Sequence, residues 1–255
     1  MNILHTHDRT RFCVSLCLFI LALAPLAAQE QPVIASTSWV RAYVVAAGAK
    51  NVVTIAPFEL QHPPEYEIKP SDLLAVQNAS LVVYTGYEKF AKKLAETAQN
   101  KNLKVLSVYT DNVPSTIIAE TRKIADVLGT TGEQIKWAQT FTAFSDDLRL
   151  KVASAAHNRR VVVQAYMKNF VTWLGLDVVG TFGPSEPSPS VVLELVKKKP
   201  AMVIDNYHNP NGEALAKSLG VPYVILINFP GKDGTRTIED VFQYNCNAIV
   251  NASHM

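Results

Sequence analysis

The sequence predicts an α/β fold of two lobes, each a mostly parallel sheet flanked by helices, bridged by one long helix. Three observations carry this. Short apolar, β-rich runs alternate with helical patterns from end to end, the alternation comes in two sets, and the stretch between them, Pro114 to Ala156, holds no strand pattern. Continuous apolar strands separated by amphipathic helices mark parallel sheets covered on both faces.

Along the chain, residues 1–28 come first. Arg9 and Arg11 precede the apolar run Phe12 to Leu23, which meets the small-residue stretch LAPLAAQE. This is the pattern of a cleavable secretory signal, cut after Ala28, and it places the rest of the chain in the periplasm. A run of about 12 apolar residues is too short to span a bilayer, so no stable membrane insertion is expected. Cys17 lies ahead of most of that run, which does not suit a lipid-modified cysteine.

Residues 29–113 form the N-terminal lobe: strand PVIAST, helix WVRAYVVAAGA, strand NVVTIA, helix SDLLAVQNA, strand LVVYTG, helix EKFAKKLAETAQN and strand KVLSVY. Before the second helix, LQHPPEYEIKPSD is a stiff arm. Pro63 and Pro64 restrict φ and push their predecessors towards extended geometry, while Pro70, Ser71 and Asp72 supply helix-start signals. Residues 114–156 form a helical linker. Within it Thr131 to Ala156 has apolar residues at Ile135, Ala138, Phe141, Phe144, Leu148 and Val152, a helical stripe that would run roughly 39 Å. It reads as a strut between lobes; the alternative is a surface helix on one lobe. Residues 157–255 repeat the first pattern: RRVVVQ, AYMKNFVTWLG, DVVGTFG, PSPSVVLELVKKK, AMVIDN, GEALAKSLG and PYVILIN.

At 48% hydrophobic and 18% charged the composition is that of an ordinary globular protein, which excludes disorder. Without residues 1–28 the chain keeps 22 basic and 21 acidic residues, so nothing draws it to nucleic acid. Only Cys246 remains, which allows no internal disulfide and is expected to be a buried, inert core residue. There is no Gly-x-Ser-x-Gly, Walker, Gly-x-Gly-x-x-Gly or His-Glu-x-x-His sequence, and no enzyme is expected. Open α/β sheets bind ligands beyond the carboxyl ends of their strands. Two facing lobes would share one cleft, lined by Trp39, Pro64, Tyr84, Tyr87, Gln164, Glu186, Tyr207 and Asn228. Tyr109 and Phe229 also fall near strand ends.

Several stretches resemble the periplasmic zinc and manganese receptors of bacterial ABC importers. PEYEIKPSD is similar to that family's His-x-Tyr-Glu-x-x-Pro-Ser-Asp loop and NASLVVYTGYEKF to its Ala-Asp-Leu-Val-Val strand. QAYMKNFVTWLGLDVVGTFG resembles its central strand-helix-strand unit, EPSPSVVLELVKKKPAMVIDNYHNP the segment after it, and IEDVFQYNCNAIV its last helix. The resemblance implies a monomeric receptor that hands a divalent metal, zinc or manganese, to a membrane permease.

It also implies four ligand positions, which fall on Pro64, on the region Tyr109 to Ser115, on Gln164 and at or beside Asn228. Amide oxygens are poor zinc ligands, so the inherited set is mostly lost. A replacement set is His62, Asp205 and His208, with Glu65 as a fourth donor; Asp205 and His208 form an i, i+3 pair past a strand. Against it, His208 could be a solvated loop residue, Asp205 could bond backbone groups at its turn, and His62 could cap its loop. Two alternatives stand beside metal cargo. One is an aromatic-lined cleft for a small organic ligand or metal chelate; the other is a scaffold that has lost transport. His157 is expected at the surface and His254 in the C-terminal tail.

Overall fold

A computed structural model describes residues 31–254; the expected signal segment lies outside these residues. Among the described residues there are nine strands and nine α-helices, and all the strands but the last follow the alternation read from the sequence. The N-terminal half contains β1 (Val33–Ala35), α1 (Ser38–Ala46), β2 (Val52–Thr54), α2 (Pro70–Gln77), β3 (Leu81–Thr85), α3 (Lys89–Thr97) and β4 (Lys104–Val108). The helices α4 (Pro114–Leu128) and α5 (Thr131–Ala155) come next. The C-terminal half contains β5 (Arg160–Gln164), α6 (Lys168–Trp173), β6 (Asp177–Phe182), α7 (Pro189–Lys197), β7 (Met202–Asn206), α8 (Glu213–Leu219), β8 (Tyr223–Leu226), β9 (Pro230–Asp233) and α9 (Ile238–Ala252).

Each half builds a four-stranded, all-parallel sheet, in the orders β2-β1-β3-β4 and β6-β5-β7-β8. The central strands are buried on both faces, which is why they read as unbroken apolar runs. Their side chains alternate between cores. Val33, Ala35, Leu81 and Val83 face the same core as Val161, Val163, Met202 and Ile204 of the other sheet. Ile34 and Val82 face a separate N-terminal core under α2 and α3. Val162 and Val203 face a C-terminal one with Leu195 and Leu215. One face of each sheet thus belongs to its own lobe, and the other to a core common to both.

The long helix α5 lies along that common core. It buries Phe141, Leu148 and Val152 and touches α4, α1 and α9. Ile135, included in the expected stripe, is exposed instead. Where α5 meets α9 and α6, an aromatic cluster closes the packing: Trp137 stacks on Phe141 at 4.9 Å, and Phe242 meets Phe141, Phe170 and Trp173 edge-on. Trp137 Nε1 also donates to Glu239 of α9 at 2.7 Å. Gly129, at φ 75°, ends α4 in the left-handed conformation that glycine adopts without penalty, and this lets α5 start two residues later. Cys246 is buried on α9 in the common core, and burial pushes its thiol up to about 12. His157 is exposed.

Candidate functional site

The carboxyl ends of the two sheets meet along a seam. Ser38 Oγ donates to the carbonyl of Pro230 at 2.7 Å, and Asn112 Nδ2 to the carbonyl of Asn228 at 2.8 Å. Trp39 lies against Phe229 with ring centroids 5.7 Å apart. These residues follow β1, β4 and β8, so the strand ends of opposite lobes touch as the fold class requires.

On the N-terminal side the stiff arm crosses the seam. After His62 the chain forms a 3-10 turn, Pro63–Glu65, with both prolines in its first two positions, and His62 makes no side-chain capping bond. Pro70 begins α2. The Asp72 carboxylate accepts from the backbone N of Lys69 at 2.8 Å and from the Tyr66 hydroxyl at 2.9 Å, which ties arm to helix. Further along, Gln61 Nε2 donates to the carbonyl of Tyr207 at 2.8 Å. Phe58 lies under Arg236 with the guanidinium 4.4 Å from its ring centroid. Residues 57–65 therefore form a strap over the loop that follows β7.

That loop is shaped by Asp205. Its carboxylate, fully buried, accepts from the backbone N of Asn206 (2.7 Å), Asn211 (2.8 Å) and Gly212 (2.6 Å), and from the Tyr223 hydroxyl (2.8 Å). Three of the four donors meet Oδ2 and one meets Oδ1, so Asp205 folds residues 206–212 around itself.

His208 sits at the top of this loop, 7% exposed, so it is not a solvated residue. Its backbone N donates to Asn206 Oδ1 at 2.9 Å, its ring stacks on Phe229 at 3.6 Å, and Tyr207 meets it edge-on at 5.2 Å. Burial, and then the charge of His62, pull its pKa down to about 3, so the imidazole is neutral at pH 7. The bond from Gln61 to the Tyr207 carbonyl brings the chain neighbours of His62 and His208 together at the seam.

The four expected ligands are therefore not assembled as a set. Among the described residues no three His, Cys, Asp or Glu side chains form a metal-holding group. His62, exposed at the start of the strap's turn, and His208 lie on segments joined by the bond from Gln61 to Tyr207. Glu65 is exposed on the strap's turn, and Asp205 supports the loop from beneath. Of the expected lining residues, Trp39, Gln164, Tyr207 and Asn228 lie at the seam. Pro64 is exposed on the strap, while Tyr87 and Glu186 are exposed at strand-end loops. Tyr84 packs into the N-terminal lobe's own core instead, because its position on β3 shares a face with Val82.

Four further residues hold the seam: Asn112, which lies within the stretch Tyr109 to Ser115, Gln61, which lies beside His62, and Ser38 and Phe58, which the sequence did not single out. A second buried carboxyl, Glu88, lies at the carboxyl end of β3. It is 1% exposed and accepts from the backbone N of Thr85 at 2.9 Å. Burial raises its pKa, against the pull of the Ser36, Thr85 and Thr37 hydroxyls around it.

The fold is two-lobed, with one parallel sheet in each lobe. Three solved structures share it at low identity. The periplasmic metal-binding protein of Candidatus Liberibacter asiaticus aligns over 88% of this chain and all of its own, with a TM-score of 0.68 and 16% identity. The substrate-binding protein FpvC of P. aeruginosa, in complex with Ni2+, aligns over 89% and 97%, with a TM-score of 0.68 and 18% identity. The laminin-binding protein Lmb of Streptococcus agalactiae, described as an adhesin with metal-transporting activity, aligns over 88% and 100%, with a TM-score of 0.69 and 18% identity. No family model and no curated protein matches the chain. Among the described residues no helix is long and apolar enough to cross a membrane.

Proposed function

We propose that the protein is an extracytoplasmic substrate-binding protein of an ABC importer, and that its cargo is a divalent metal such as zinc or manganese. In this reading His62 and His208 take the metal from opposite lobes. The observation that carries the reading is the bond from Gln61 to Tyr207, which joins the two histidine-bearing segments: His62 rides on a proline-stiffened strap, and His208 on a loop fixed by a buried carboxylate. Neutral imidazole is a good ligand for zinc and its neighbours in the first transition row. Glu65, on the same turn as His62, is a further oxygen donor on that side. The likeness in fold to proteins described as binding metals supports the same reading.

The test is calorimetric titration of chelator-stripped protein with Zn2+ and Mn2+. His62→Ala and His208→Ala should each weaken binding of the preferred ion at least tenfold. Equal affinity in the wild type and both variants would reject the imidazole pair. A second reading is favoured by the aromatic stack of Trp39, Phe229 and His208: an organic ligand held on ring faces. Whole-protein mass spectrometry of freshly isolated material would reveal such a ligand without metal.

A further inference from the structure

On the C-terminal lobe's side of the seam, three buried polar side-chain atoms have no hydrogen-bond partner among the described residues: Gln164 Nε2, His208 Nδ1 and Asn228 Oδ1. They crown three adjacent strands, β5, β7 and β8, and they lie on continuous structure. Gly183 lies against the Gln164 side chain. The next residue's carbonyl, that of Pro184, accepts from the side chains of Asn209 and Asn211. Asn209 follows His208, and the His208 ring stacks on Phe229, next to Asn228. A buried polar group left unpaired bears its full desolvation penalty, and three on adjacent strand ends point to a ligand.

Their chemistry describes that ligand. Gln164 is oriented: its Oε1 accepts from the backbone N of Tyr166 at 2.7 Å, which leaves the NH2 end, a donor only. Asn228 Oδ1 is an acceptor only. A cation or its bound water can satisfy Asn228 Oδ1, and an imidazole nitrogen can bind the cation directly. Neither a cation nor the outward-pointing hydrogens of its water accept from the Gln164 amide. A carbonyl or carboxylate oxygen does. Two imidazoles also leave two of the four positions around zinc to be filled, and a bidentate carboxylate chelator fills two.

We infer that the cargo enters as a divalent metal already chelated by an organic carboxylate, with the metal on the imidazoles of His62 and His208 and a carboxylate oxygen on the Gln164 amide. This rests on the metal reading above and narrows it from the bare ion to a complex. Gln164 is then the specificity-determining residue.

Chelator-stripped protein titrated with Zn2+ alone, citrate alone and equimolar Zn2+ and citrate tests it. Zn2+ with citrate should bind at least tenfold tighter than Zn2+ alone. Gln164→Leu, which removes the donor, should bring that ratio to about one. Gln164→Glu keeps an acceptor for Tyr166 and sets an oxygen where the donor was, so it should push the ratio below one. Citrate that weakens Zn2+ binding by competition overturns the inference, as does a ratio that survives both substitutions. Citrate binding equally well without Zn2+ overturns it too. Zn2+ failing to bind in either form rejects instead the metal reading on which the inference stands.

Discussion

Asp205 illustrates what a buried carboxylate does when its partners are complete. Burying it unpaired would be costly, and burying it under three backbone N–H groups and a tyrosine hydroxyl makes it the organiser of a loop. Glu88 is the contrasting case. Its Oε2 accepts from the Thr85 backbone, while Oε1 lacks a well-directed partner, so desolvation dominates and its pKa rises. A carboxyl with a raised folded pKa holds its proton more tightly in the native than in the unfolded chain. Stability is then greatest below the unfolded value of about 4.3 and falls as pH climbs through the raised folded value. Glu88→Gln removes this loss and keeps an oxygen for Thr85. Thermal melts at pH 4 and pH 7 should show the variant gaining on the wild type at the higher pH; a difference that does not vary with pH would contradict the assignment.

At the scale of elements, the strap is the part most sensitive to a single atom. Gly231 on β9 has φ 142°, and a Cβ there would collide with the carbonyl of Phe58. Gly231→Ala should therefore lift the strap and cost about 1–3 kcal/mol, the usual range for overpacking. Amide exchange in residues 57–65 should quicken, whereas unchanged exchange would show the strap is held elsewhere. The sheets and the long helix were legible because burial on both faces leaves unbroken runs such as LVVYT and RVVVQ, and because the Phe141, Leu148 and Val152 stripe has helical spacing. Strand β9 was not, since PGKD has neither apolar run nor alternation. The site was legible only in outline. His62 and His208 stand out by type, but the bond from Gln61 to Tyr207 spans 146 positions, and nothing local in Asn112 or Phe58 announces a partner across the seam. A strand-end aspartate such as Asp205 looks the same in sequence whether it faces a cleft or its own turn.

For the molecule as a whole, the decisive feature is the core common to both lobes. The inner faces of the two sheets, with α1, α5 and α9, bury one continuous set of side chains, and residues 31–254 form one compact unit. A wide rigid-body opening of the lobes would expose this apolar surface at roughly 25 cal/mol per Å², and would also break the Ser38, Asn112 and Trp137 bonds. Moving the strap costs far less. It is held by the Gln61 bond, by the packing of Phe58 under Arg236, and by an exposed ion pair of Arg236 with Glu59 at 3.7 Å, of which the last contributes little. Cargo should therefore enter by displacement of residues 57–65 while the lobes keep their relation. Small-angle scattering of stripped protein, with and without saturating Zn2+ and citrate, should give superimposable curves, and exchange protection on loading should rise in the strap and in residues 206–212. A clear fall in the radius of gyration on loading would mean that the lobes do hinge, and that α5 bends or slides on the common core instead of holding it rigid.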